Sequence, residues 1–408
     1  MNDMRITTLR LWLILGSLMA SLILSGCRQR TFLQDEAVMI EAVDKKELPI
    51  ELYVLEEVTS GRYEPQEGIY TGVYMMQNDA KVEDISSYEE LVGQPQTFKV
   101  FHYTSEEGVS KQDILKCIAN KKIPYIKLLL GKDYDLTPLY QLIFDLKMSY
   151  KVPVFVELYP LSERVFKVNE YKETYQRAYE ILHKYLSDVT VVWSTDTCRV
   201  SDMALYYPGS GYVDWVGINI FIPKYKQGVR YEYDGMNQLD YWYKSFQEKK
   251  PLLISGLAIS HYSTVDHAYA IRDTEERLTL FYDEILTNYP RLKGVIYMNV
   301  NMIERNDKGK EDYTLTGEKQ LCKTLKGLSC SLKIQSTLKS ESKKSYCYMK
   351  YAVKGILIKD DLYIPQEYMA SCFKDIPLKK IQHVEDISGI IYYAYKDIKT
   401  YCSTYYKV

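Results

Sequence analysis

Apolar positions in the middle of the chain follow two alternating periods. Short runs rich in β-branched and aromatic residues lie at Ile69 to Tyr74, Thr97 to Tyr103, Pro124 to Leu129, Pro153 to Leu158, Val189 to Ser194, Val213 to Phe221, Pro251 to Ser255 and Leu292 to Asn299. Runs of that length and composition predict strands buried on both faces. Segments with helical spacing fall between or after them, at Val82 to Val92, Lys111 to Asn120, Thr137 to Tyr150, Tyr171 to Leu186, Met236 to Glu248, Thr274 to Tyr289 and Gly317 to Leu325. Strands separated by helices pair in parallel, because a right-handed crossover is the usual route back to the same sheet. Eight such strands spread over residues 61–330 predict an α/β protein, a (β/α)8 TIM barrel close to the ~250 residues usual for that fold. An open doubly wound sheet is the alternative, but no Gly-x-Gly-x-x-Gly turn follows the first strand.

The two ends of the chain have a different texture. Arg5 and Arg10 precede the uncharged apolar stretch Leu11 to Leu24, and small residues follow, which reads as a signal peptide over 1–26. That stretch is too short to span a hydrocarbon layer of about 30 Å. Leu24-Ser25-Gly26-Cys27 resembles the lipobox of bacterial lipoproteins, and the resemblance implies acylation of Cys27 and a lipid anchor outside the cytoplasmic membrane. Residues 27–60 are charged and lack a sustained apolar period, as a tether would. The Ser- and Lys-rich stretch within 331–345 predicts a linker, and 346–408 a small α+β module. Val353 to Ile358 with Asp361-Leu362-Tyr363-Ile364-Pro365 resembles the stalk domain, also called copper amine oxidase N-terminal-like, which implies an accessory role without copper.

Composition narrows the function classes. The 52 basic and 54 acidic side chains nearly balance, which argues against nucleic acid as a partner. Tyrosine is in excess, 40 residues against 10 Phe and 4 Trp, and its flat face and hydroxyl suit polar, ring-shaped ligands. Apart from Cys27 the cysteines are odd in number and gather beyond residue 320, so any disulfide support belongs to the C-terminal part. No Cys-x-x-Cys pair and no zinc-like histidine spacing occurs, so neither metal nor cofactor is expected.

A barrel builds its site at the C-terminal ends of its strands. Those ends carry His102, Lys127, Glu157, Tyr159, Trp193, Asp196, Asn219, Phe221, Ser255, Gly256, Asn299 and Asn301, with His261 on the loop after the seventh strand. Rings and amides in such numbers predict a carbohydrate groove, with His102, Tyr159, Trp193, Asn219, Phe221, His261 and Asn299 as the ligand contacts.

Tyr206-Tyr207-Pro208-Gly209 followed by Tyr212-Val213-Asp214-Trp215-Val216-Gly217-Ile218 resembles the approach to the sixth strand in glycoside hydrolase family 26. Gly68 to Tyr74, Val189 to Trp193, Lys250 to Ser255 and Pro290 to Val295 fall in the order the resemblance requires. The family is retaining, so the resemblance implies two carboxylates about 5 to 5.5 Å apart. Its nucleophile position falls on Gly256, and its acid/base position on Pro160 or Leu161, none of which is acidic. Glu157 and Asp196, with Glu163 in the following loop, are the fallback acids. The expected protein is therefore an exported lipoprotein and pseudoenzyme that binds polysaccharide or another cell-envelope component. An active glycosidase with relocated carboxylates and a structural surface protein are the alternatives.

Overall fold

The computed structural model describes residues 38–40, 45–75, 84–104, 108–130, 135–149, 151–159, 167–195, 200–233, 235–305, 309–339 and 344–408. The expected signal peptide over 1–26, Cys27, Pro160, Leu161, Glu163 and Asp196 lie outside the described residues, as does the side chain of Tyr159. The chain divides into two compact units, Leu52–Tyr351 and a second made of Met1–Glu51 with Ala352–Val408.

In chain order the strands are β1 Val38–Ile40, β2 Lys46–Thr59, β3 Tyr70–Met75, β4 Phe98–Tyr103, β5 Ile123–Leu129, β6 Val154–Tyr159, β7 Val189–Thr195, β8 Trp215–Ile222, β9 Tyr225–Lys226, β10 Val229–Arg230, β11 Leu252–Ile259, β12 Tyr262–Ser263, β13 Ala268–Tyr269, β14 Leu292–Asn299, β15 Glu311–Asp312, β16 Lys344–Ile358, β17 Asp361–Pro365, β18 His383–Asp386, β19 Ile391–Ala394 and β20 Thr404–Lys407. Strands β3, β4, β5, β6, β7, β8, β11 and β14 close into a barrel in that order, with neighbours parallel. The (β/α)8 expectation holds, and these are the eight runs read from the sequence.

Each crossover helix buries one stripe. The helix Val168–Tyr185 buries Tyr171, Tyr175, Ala178 and Leu182, spaced four, three and four residues apart, so all four face the barrel wall. The helix Ile85–Val92 is bounded by a capping box between Asp84 and Ser87 and by Gly93 at φ 62°, where a side chain would be strained. A short helix, Val200–Tyr206, fills the crossover after β7, where no helical period was apparent.

Alternation along each strand separates two cores. Outward residues such as Val191, Trp193, Ile218 and Ile254 meet the helices. Inward residues Tyr70, Phe98, Phe155, Trp215 and Leu253 fill the barrel near the strand beginnings. Phe98 and Phe155 lie 4.7 Å apart between centroids, and Phe155 meets Trp215 edge-on at 5.8 Å. This aromatic floor closes the N-terminal end of the barrel.

Two boundaries differ from expectation. Residues 46–59, placed in the tether, form β2, with Ile50, Leu52, Tyr53, Val54 and Val58 buried. Its charged residues, Lys46, Glu47, Glu51, Glu56 and Glu57, are exposed or half-buried and interrupt the apolar positions, which conceals the strand's period. Residues 331–339, placed in the linker, are stitched to the first barrel strand and its approach. The Ile69 amide donates to Lys333 O at 3.0 Å, the Gln335 amide to Ile69 O at 2.9 Å, and the Lys339 amide to the Tyr70 hydroxyl at 3.0 Å.

In the second unit, β16 and β17 form an antiparallel hairpin turned through Lys359 and Asp360, both at positive φ. Val384 on β18 and Tyr392 on β19 pack with Ile356 and Tyr363. Among the described residues, Cys117, Cys330, Cys347 and Cys402 are free thiols. Among the described residues no helix is long and apolar enough to cross a membrane.

Candidate functional site

Above the aromatic floor the inner wall becomes polar. Glu157 on β6 is fully buried and is the centre of this layer. Its carboxylate accepts from the Tyr125 hydroxyl at 2.7 Å, from Asn219 Nδ2 at 3.3 Å and from the Ser194 hydroxyl. Lys127 Nζ lies 3.2 Å from Oε2 and donates to Asn219 Oδ1 at 2.9 Å. Ser255 Oγ closes the ring, 3.2 Å from Asn219 Oδ1. An isolated buried charge would cost several kcal/mol, so the Lys127 cation and the converging donors make Glu157 tolerable there.

The seventh barrel strand, β11, runs on past its expected end at Ser255 to Ile259, with a bulge. Its register against β8 passes from Ile254 opposite Ile218 to Gly256 opposite Asn219, leaving Ser255 as the extra residue. Both Ser255 and Gly256 consequently address the interior. A Cβ at Gly256 would collide with Asn219 Oδ1 and come within 3.5 Å of Lys127 Nζ. The space in front of Gly256 is occupied by this amide.

Nearer the strand ends the wall is aromatic. His102 and Tyr74 stack with centroids 4.4 Å apart and planes 15° from parallel, both half-buried. Phe221 is half-buried against the interior cluster. These three rings line the described part of the mouth.

The other expected contacts lie elsewhere. Trp193 points outward, since alternation turns its neighbours Val192 and Ser194 inward; its Nε1 donates to the Tyr171 hydroxyl at 3.0 Å and its ring meets Tyr207 and Phe246. Asn299 is buried beneath the following loop, receiving the Leu315 amide at 2.7 Å and donating to Thr316 Oγ1 at 3.1 Å. Asn219 and Glu157 are sealed in the interior network. His261 is buried behind a three-stranded rim sheet, with Nε2 3.8 Å from Asp312 Oδ2.

One carboxylate at this rim was not anticipated. Glu311 on β15 is buried and accepts from the amides of Lys224 and Tyr225 and from the hydroxyls of Ser260 and Ser263. Strands of two residues carry no readable period, so the sequence held no signal for its role.

Residues 162–240 match the family model for glycosyl hydrolase family 26. A β-1,3-xylanase from a Vibrio species is 24% identical over 148 residues, 32% of this chain and 30% of the xylanase. The matched part thus spans less than a third of that relative. Among solved structures, GH26C from a Muricauda species superposes with a TM-score of 0.50 at 12% identity, across 68% of this chain and 91% of that one. The catalytic domain of a GH26 endo-β-1,4-mannanase from a Bacillus species gives a TM-score of 0.48 at 12% identity, across 68% of this chain and 94% of that one. The barrel resembles glycoside hydrolase family 26. At such identity the solved structures speak for the fold alone, so the chemistry of this family-26-like barrel rests on its own residues.

Proposed function

We propose that this is an exported, lipid-anchored protein whose family-26-like barrel binds a β-linked polysaccharide of the cell envelope or surroundings without hydrolysing it. The observation that carries this reading is the filled space at Gly256. The position that the resemblance gives to the nucleophile has no side chain, and the Asn219 amide, fixed by Lys127, stands in its place. Glu157, the described acid on the adjoining inner wall, is sealed and engaged by Lys127, Tyr125, Ser194 and Asn219, so it is not positioned to attack an anomeric carbon or protonate a leaving oxygen. Binding does not need those acids. The Tyr74, His102 and Phe221 rings offer apolar faces to a pyranose.

The test measures binding and turnover together on β-1,4-mannan, β-1,3-xylan and mixed-linkage β-glucan, the first two suggested by the named relatives. The expected result is retardation in affinity gels with no release of reducing ends above a heat-treated control. Turnover by the wild type that is lost in Asp196→Asn or Glu163→Gln would instead establish relocated carboxylates. The anchor is tested separately: a fatty-acid probe should label the wild type and not Cys27→Ala, and equal labelling would remove the anchor from the proposal.

A further inference from the structure

Two short hairpins extend the sixth and seventh barrel strands beyond the mouth. β9 and β10 pair antiparallel shortly after β8, turning through Gln227 and Gly228, both at positive φ. β12 and β13 pair shortly after β11, and β15 joins β12 on its other side. Glu311 ties the two hairpins together: its carboxylate receives the Lys224 amide at 3.0 Å and the Tyr225 amide at 3.2 Å from the first, and the Ser263 hydroxyl at 2.8 Å from the second. Lys224 Nζ adds a second tie, donating to Asp266 and to Ala268 O, each at 2.6 Å, while the Tyr225 hydroxyl reaches Asp266 at 3.1 Å. Groups bonded this densely hold one geometry.

This frame displays rings. Tyr269 is 63% exposed, yet it is fixed against Tyr262, with centroids 4.8 Å apart, and against the buried His261 at 6.0 Å. Tyr262 and Tyr225 are half-buried. Holding large rings at the surface on a frame secured by a buried carboxylate is a specific arrangement that solubility does not explain. The surroundings are polar, with the Asp266 carboxylate, the Lys224 ammonium and the tyrosine hydroxyls all within the same two hairpins. A protein-binding core would be depleted of such charges. A hydroxyl-bearing ring has use for both parts, stacking on the tyrosine faces and hydrogen-bonding to the charged and hydroxyl groups.

We propose that the Tyr225, Tyr262 and Tyr269 face is a glycan platform continuous with the barrel mouth, engaging the units of a pyranose chain that extend past it. This rests on the carbohydrate reading above and locates a second part of the same site. The platform lies on loops leaving β8 and β11, and β8 also carries Phe221 at the mouth, so one chain can touch both.

The experiment uses the full chain with the three polysaccharides above, and with disaccharides and hexasaccharides cut from them, titrated by calorimetry. Tyr269→Ala and Tyr262→Ala should weaken the hexasaccharide and polymer about threefold to tenfold each, the usual worth of one aromatic contact, and leave the disaccharide unchanged. Phe221→Ala should weaken all three. Saturating polymer should also slow nitration of Tyr269 by tetranitromethane, read by peptide mass spectrometry. If both platform variants bind polymer as the wild type does while Phe221→Ala fails, the platform is overturned and the mouth reading stands. If the wild type binds no glycan, both are overturned.

Discussion

The inside of the barrel and its rim each contain a buried glutamate, and the two are satisfied by different means. Glu157 faces the Lys127 ammonium, so the interior holds a neutral pair surrounded by hydroxyl and amide donors. Glu311 is met by two backbone amides and two serine hydroxyls. The interior pair is closed on itself, its charges and donors spent on one another. The rim carboxylate gathers separate loops and fixes what they display. A buried acid is therefore no sign of catalysis in itself; its partners decide whether it can act.

The largest expected effect comes from breaking the interior pair. Glu157→Gln keeps the volume but leaves Lys127 buried without its counter-charge, and should lower stability by about 3 to 5 kcal/mol in urea unfolding. Replacing both, Glu157→Gln with Lys127→Met, should recover a large part of that loss. A single variant within 1 kcal/mol of wild type would show that the interior is not organised around charge.

Gly256 probes the same network from the other side. Gly256→Ala pushes a methyl group against Asn219 and should cost about 1 to 3 kcal/mol, the usual range for overpacking. Combining it with Asn219→Ala should cost less than the sum of the single changes, because the collision disappears. Gly256→Glu should fold poorly and hydrolyse none of the polysaccharides. Activity gained by Gly256→Glu would mean that the displaced amide can leave the nucleophile position.

These two positions also show where sequence reasoning stops. The eight strands were legible because most are apolar on both faces, and their bounds agree with the runs to within a few residues. The side that each residue faces was not legible. Trp193 and Ser194 are adjacent, and only the barrel's register turns the serine in and the tryptophan out. The bulge at Ser255 breaks alternation outright, so Ser255 and Gly256 both face inward. Residues 331–339 attach chiefly through backbone hydrogen bonds, which side-chain composition does not encode. The two rim hairpins, with strands of two residues each, fall below any periodic signal.

The rim should respond more locally. Glu311→Gln exchanges a charged acceptor for a neutral amide and should cost about 1 to 3 kcal/mol, less than the interior variant. Its distinguishing effect is on the hairpins: the amides of Lys224 and Tyr225, which donate to Glu311, should exchange hydrogen faster while the barrel strands keep their protection. Uniform loss of protection across the barrel would mean that rim and interior are one cooperative unit, and the comparison would fall.

A third carboxylate, in the second unit, combines both solutions and gives the smallest effect. Asp386 accepts from Lys45 Nζ at 2.6 Å, as Glu157 accepts from a lysine, and from the amides of Ser388 at 2.9 Å and Ile390 at 3.1 Å, as Glu311 accepts from the backbone. The Lys45 bond, and then the Ser388 hydroxyl, hold its carboxyl well below the usual carboxylate range. The same bond raises Lys45 above the ordinary lysine value. A carboxylate depressed in the folded state stabilises it fully above the unfolded value of about 3.9, and the contribution is lost as pH falls through the folded value. The raised lysine contributes up to about pH 10 and loses its share as pH rises further. Thermal unfolding of the second unit, followed by hydrogen exchange over 383–394, should thus be flat near neutrality and decline from about pH 4 downward. Asp386→Asn should be less stable at pH 7 and lack that acid slope. An unchanged slope in Asp386→Asn would assign the acid sensitivity to another carboxylate and leave the lysine-plus-amide arrangement without the effect expected of it.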